Sequence, residues 1–177
     1  MTIKRGISLG IFIFISFSFF SQDFLEWSSN RKISFEDFKG AVPKAMNKQQ
    51  AANITTVISY QSRQEQGKIP KMTILNLMDR NSSWTNVKKP EVLQVQQVRF
   101  DYSELYARKI RQKMEEMNKK GITDKQKYID EIARMVRISE KRQRENSLLL
   151  EDQPHLIKIM QNDIKDSLIL YRNFEKQ

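Results

Sequence analysis

The stretch Tyr102-Ser-Glu-Leu-Tyr-Ala-Arg-Lys-Ile-Arg-Gln-Lys-Met-Glu-Glu-Met117 decides the architecture. Its apolar side chains, Tyr102, Leu105, Tyr106, Ile110, Met114 and Met117, recur at spacings of three and four, as one buried face of a helix requires. Upstream, Pro90 suits a first helical turn, where its missing N–H costs nothing. Downstream, Gly121 stops the helix. Thr123 with Gln126 forms a capping box for a second helix, whose apolar face is Ile129, Ile132, Ala133 and Val136. Pro154 opens a third, with Ile157, Met160, Ile164, Leu168 and Tyr171 in line.

Before Pro90 the pattern changes. Ile33-Ser-Phe35 reads as a brief extended piece, ended by a turn at Phe38-Lys-Gly40. The β-branched run Ile54-Thr-Thr-Val-Ile-Ser-Tyr60 and the segment Met72-Thr-Ile-Leu-Asn-Leu-Met78 read as strands, separated by Gly67 and Pro70. Asn81-Ser-Ser83 is a turn leading to Trp84. No repeat or low-complexity linker interrupts the chain. The expectation is one α+β domain over 22–177, with a small antiparallel sheet and turns over 22–89 followed by three helices over 90–177.

Of the 177 residues, 39% are apolar, too many for a chain disordered throughout. The 31 Lys and Arg outnumber the 21 Asp and Glu, for a net charge of +10. The absence of Cys excludes disulfides, thiol nucleophiles, thiolate zinc sites and iron–sulfur clusters. With His155 the only histidine, no site can gather two imidazoles from this chain. Neither GxGxxG nor GxxxxGK[ST] occurs, so no Gly-rich phosphate loop is present. No cofactor is expected.

Residues 1–21 read as a signal peptide. Lys4 and Arg5 precede an apolar run from Ile7 to Phe20, and cleavage is expected after Ser21. The run is short against the roughly 20 residues a membrane-spanning helix needs, which disfavours the alternative of an uncleaved anchor. The expected location is secreted or periplasmic. Export without cysteine fits a bacterial envelope, and the basic character stays with residues 22–177.

Leu25-Glu-Trp27, Arg31-Lys-Ile-Ser-Phe-Glu-Asp-Phe-Lys-Gly40, Ala51-Ala-Asn-Ile-Thr-Thr-Val-Ile-Ser-Tyr60, Asn81-Ser-Ser-Trp84 and Phe100-Asp-Tyr-Ser-Glu-Leu-Tyr-Ala-Arg-Lys-Ile110 occur in this order. Together they resemble segments of the secreted bacterial domain-of-unknown-function family nine-two-two, described as zinc-dependent proteases. The resemblance spans Leu25 to Arg111, and beyond it only the helical character is shared. It implies a zincin-like fold and a His-Glu-x-x-His motif just before Phe100. There two imidazoles one turn apart grip zinc and the glutamate activates bound water.

This chain departs from that motif at each chemical position. Val95 and Arg99 stand where the imidazoles would be, and Gln96 replaces the general base. Valine has no lone pair to donate, arginine is a permanent cation, and glutamine is no base near neutral pH. Because His155 is alone, no change of register restores the pair. Glu104, spaced as a third ligand, is left as a possible relic. Its alternative reading is a solvated helix residue beside Arg108, an i,i+4 pair worth a few tenths of a kcal/mol. No Asp-rich calcium loop is visible.

Among other candidates, His155 reads as an exposed first-turn residue, with no activated serine to partner it. Arg134, Arg137, Lys141 and Arg144 recur at three and four as a cationic stripe that either is simply solvated or meets an anionic membrane surface or envelope polymer. No aromatic residues interleave it, and nucleic acid is not an expected partner. Trp27, Phe35, Phe38 and Trp84 are assigned to packing between sheet and helices. Asn53-Ile-Thr55 and Asn81-Ser-Ser83 match the glycosylation triplet, a weak signal.

Three functions are consistent with this reading. The first is a non-catalytic relative acting as a binding or accessory protein for an unidentified protein or envelope polymer. The second is a hydrolase with non-standard ligands, and the third is a basic binder of anionic envelope components.

Overall fold

The computed structural model describes residues 23–44, 50–152 and 154–176, and for 147–152 and 154 only the backbone course. The expected signal peptide and its cleavage point at Ser21 lie outside the described residues.

The fold is α+β. Strands β1 (Phe24–Glu26), β2 (Ala52–Asn53), β3 (Thr56–Arg63), β4 (Lys71–Asp79) and β5 (Trp84–Thr85) precede helices α1 (Pro90–Lys119), α2 (Lys125–Asp152) and α3 (Ile157–Leu170). All pairings are antiparallel: β1-β4-β3 form one sheet and β2-β5 a two-residue ladder. β3 and β4 make a hairpin from Thr56 opposite Met78 to Arg63 opposite Lys71, with Gly67 at φ 70° in its loop. β1 pairs only with the far end of β4, Glu26 standing opposite Leu77.

Alternation along β4 sends Ile74, Asn76 and Met78 inward. Ile74 joins Ala107, Ile110, Met114 and Met117 of α1 and Tyr128 and Ile132 of α2 in one buried cluster. Met78 joins Ile33, Ile54 and Phe100 in a second, against which Trp27 and Phe38 pack. Between them, Asn76 Oδ1 accepts from Ser103 Oγ at 2.7 Å and its amide donates to Phe100 O at 3.4 Å, so the buried amide is satisfied. Trp84 is buried as expected, and Phe35 is half-buried.

α1 runs between the expected limits, with Pro90 in its first turn and Gly121 at φ 66° just past its end. The cap of α2 differs from expectation: Asp124 Oδ1, not Thr123, accepts the Gln126 N–H at 2.9 Å. A carboxylate at that position also favours the positive end of the helix. The Gln126 side chain instead donates to Asp130. The buried face of α2 is led by Tyr128, whose hydroxyl donates within reach of Asn118 Oδ1 and Ile122 O, while Ile129 is half-buried.

Of the expected extended piece Ile33-Ser-Phe35, Ser34 is extended (φ −124°, ψ 170°), but Phe35 already belongs to a turn. Ile33 enters the core, and Phe35–Asp37 form a 3-10 turn. The cause is Asp37, which is fully buried. Its carboxylate accepts from Ser34 N at 2.8 Å and from Arg31 at 2.7 Å, and Arg80 lies 3.4 Å away. Gly40 then passes so close to the turn after β4 that an added Cβ would lie 2.7 Å from Asn81 O and 2.8 Å from Ser83 O. This locks the entry segment against the sheet.

Candidate functional site

α1 carries every position at which the sequence suggested a lost metal site. Gln96 and Gln97, both buried, face irregular backbone rather than solvent. Gln96 Oε1 accepts the Ile54 N–H at 3.0 Å, and Gln97 Oε1 accepts the Ile33 N–H at 2.9 Å. Neither residue lies in a strand, so each side chain satisfies a buried N–H outside the β ladders. Gln97 Nε2 donates to Asp101 Oδ1 at 2.7 Å, and the same oxygen accepts Trp27 Nε1–H at 2.8 Å. Arg99 Nη1 reaches Gln96 Oε1 at 3.4 Å. The position of the expected general base is therefore a helix-to-backbone tie. Val95 is half-buried, as is Arg99.

Glu104 is on a different side of the helix. With 3.6 residues per turn, it lies about 180° from Val95 and about 140° from Arg99. Those two positions and Glu104 do not line one cleft. Glu104 is not solvated either: it is 1% exposed. Its Oε1 accepts from Arg111 Nη1 at 2.8 Å and Arg108 Nε at 3.2 Å, so the carboxylate is not a lone one. Arg108, also buried, lies with Cζ 5.2 Å from the Trp27 ring centroid and donates through Nη1 to Leu168 O at 2.8 Å and through Nη2 to Glu175 Oε2 at 2.7 Å. Arg111 donates to Ile74 O, where β4 runs on past the end of β1, and to Phe174 O.

Glu104, Arg111 and Glu175 line a cavity of ≈ 170 Å³ together with Glu26, Trp27, Ser28 and Lys176, and Arg108 lies behind Glu175. Glu175 and Lys176 form one side of it, and Lys176 Nζ is fixed to Glu26 Oε1 at 2.6 Å and Oε2 at 2.9 Å. Among the described residues, no three His, Cys, Asp or Glu side chains are grouped as a metal ion would need.

No family model matches the chain, no curated protein matches its sequence, and no solved structure matches its fold.

Elsewhere on α1, Tyr102 and Tyr106 lie with ring centroids 5.3 Å apart. Burial, with Tyr106 adding to it, pushes the Tyr102 hydroxyl well above its ordinary range. Lys109 sits over the Tyr106 ring at 5.0 Å and the Tyr171 ring at 5.7 Å, and burial pushes its ammonium pKa down. Arg134, Arg137, Lys141 and Arg144 are all exposed on α2, but Arg134 is held bidentately by Glu131 at 2.7 and 2.8 Å. His155 is exposed on the 3-10 turn Pro154–Leu156.

Sequence reasoning missed Gln97, Arg111, Glu175 and Lys176. Glu104, Arg108 and Arg111 at i, i+4 and i+7 share a face, which was a usable signal. Glu175 and Lys176 offered none, since they meet residues 67 and 150 positions away.

Proposed function

We propose that this chain is a non-catalytic binding or accessory protein of the bacterial envelope, exported by a signal peptide cleaved after Ser21. The observation that carries this reading is the use of Gln96. Where a hydrolase of the resembled family would keep a carboxylate free to activate water, this chain spends a neutral amide on the Ile54 N–H, with Arg99 against the same oxygen. A guanidinium there opposes a divalent cation. Glu104, the carboxylate spaced as a third ligand, is neutralised by two arginines and lies about 180° round α1 from Val95 and about 140° from Arg99.

The test is the metal content and hydrolytic activity of the mature protein, purified without chelator. No stoichiometric zinc and no casein turnover are expected. Tightly held zinc, or casein turnover by the purified mature protein, overturns the reading. N-terminal sequencing of the exported protein should begin at Gln22, and an intact Met1 overturns the cleavage.

A second reading is favoured by the exposure of the α2 stripe: binding to an anionic envelope surface through Arg137, Lys141 and Arg144. Binding to phosphatidylglycerol vesicles should weaken as salt rises and fall on the double substitution Arg137→Glu and Lys141→Glu. Salt-independent binding, or none, removes it.

A further inference from the structure

The cluster beneath Glu175 has an unbalanced charge. Arg108 and Arg111 share the single carboxylate of Glu104, and Arg108 is almost wholly buried. One positive charge therefore remains below the surface, where an unpaired ion is expensive. Glu175, whose side chain is 35% exposed, neutralises it. Arg108 is positioned for that contact by other groups. Glu104 holds its Nε, Leu168 O holds its Nη1, and its guanidinium lies over Trp27, which leaves Nη2 for the incoming carboxylate. A donor fixed in this way loses little freedom on binding.

The opposite rim carries the complementary charge. Glu26, 42% exposed, holds the Lys176 ammonium through both of its oxygens. Glu26 and Glu175 line a small polar cavity and Arg108 lies beneath Glu175, so two consecutive residues, Glu175 and Lys176, answer a buried cation and a rim carboxylate at its edge.

We propose that this cavity is a receptor for a small zwitterion, a free amino acid or short peptide, and that Glu175 and Lys176 occupy its two charged subsites as a built-in competitor. A ligand bringing one carboxylate to Arg108 and one ammonium to Glu26 replaces Glu175 and Lys176 charge for charge. A simple anion or a simple amine replaces only half of it. With Glu175 and Lys176 in place the cavity is ≈ 170 Å³, well below the roughly 300–1,000 Å³ of pockets for drug-sized molecules, and displacing those two side chains enlarges it toward a ligand of amino-acid size. The inference does not depend on the loss of the metal ligands, because Val95 and Arg99 lie on other sides of α1 from Glu104.

The experiment follows the Trp27 indole N–H by NMR in the full mature chain, with glycylglycine as probe and acetate and methylammonium as single-charge controls. In the double substitution Glu175→Gln and Lys176→Gln, glycylglycine should bind saturably and about tenfold or more tighter than to the unmodified chain, because the competitor no longer holds the site. Both controls should bind more weakly than glycylglycine, and adding Glu26→Gln should bring glycylglycine down to the level of acetate. A folded double variant with no saturable shift, or with the same affinity as the unmodified chain, overturns the proposal. Acetate binding as tightly as glycylglycine overturns the zwitterion assignment. If the double variant does not fold, the exposed single substitution Lys176→Gln decides: it should already tighten glycylglycine binding, and an unchanged affinity overturns the proposal.

Discussion

Replacing Gln96 by leucine would leave the Ile54 N–H buried without its acceptor while keeping a side chain of similar size. The expected loss is about 1–3 kcal/mol, read as a shift in urea midpoint. Gln96→Glu keeps the acceptor and gains the nearby Arg99 guanidinium, so its loss should be much smaller. Glu104→Gln removes the only negative charge between Arg108 and Arg111 and should cost about 3–5 kcal/mol, measured the same way. Both residues show what a linear reading misses. The replacement of a basic carboxylate by Gln96 was visible in the residues themselves. Its acceptor role was not, because Ile54 is 42 positions away. Glu104 looked solvated because a charged residue within an amphipathic helix usually is, and its burial depends on Trp27 and Glu175 folding over it from both ends of the described chain.

At the level of elements, apolar spacing and the punctuation by Pro90 and Gly121 were enough to place α1, and the β-branched run Ile54–Tyr60 located β3 but not its limits, since the strand is Thr56–Arg63. These signals are local. The departures arose where side-chain hydrogen bonds compete with backbone preference. Asp37 draws Phe35–Asp37 into a turn despite its apolar neighbours, and Asp124 takes the cap from Thr123. α2 holds one further polar anomaly, Ser139, whose hydroxyl is buried without a hydrogen-bond partner. Ser139→Ala removes an unsatisfied group and raises helix propensity, and should stabilise the protein by about 1 kcal/mol in thermal unfolding.

At the scale of the whole molecule, ion-paired carboxylates make stability depend on pH, one of them joining segments 57 positions apart and another lying within α2. Asp23 is held below its ordinary range first by the hydrogen bond from Lys39 and then by Arg80, and Glu131 is held low by Arg134. A carboxylate lowered in the folded state contributes stability that is fully present above its unfolded pKa and lost as pH falls through the folded value. The melting temperature should therefore hold down to about pH 5 and drop toward about pH 2. Lys39→Gln should flatten that acid limb, as seen in melting temperatures collected across the range.

β3 is bonded to β4 on one side and forms the outer margin of the three-stranded sheet over eight residues, with Val57 and Tyr60 partly open to solvent. A margin of that length offers a row of main-chain donors and acceptors to any neighbouring molecule. On concentration and mild heating, self-association should begin there, detectable as thioflavin fluorescence. Val57→Lys should delay its onset, because charge repulsion then meets each incoming chain at the point of first pairing.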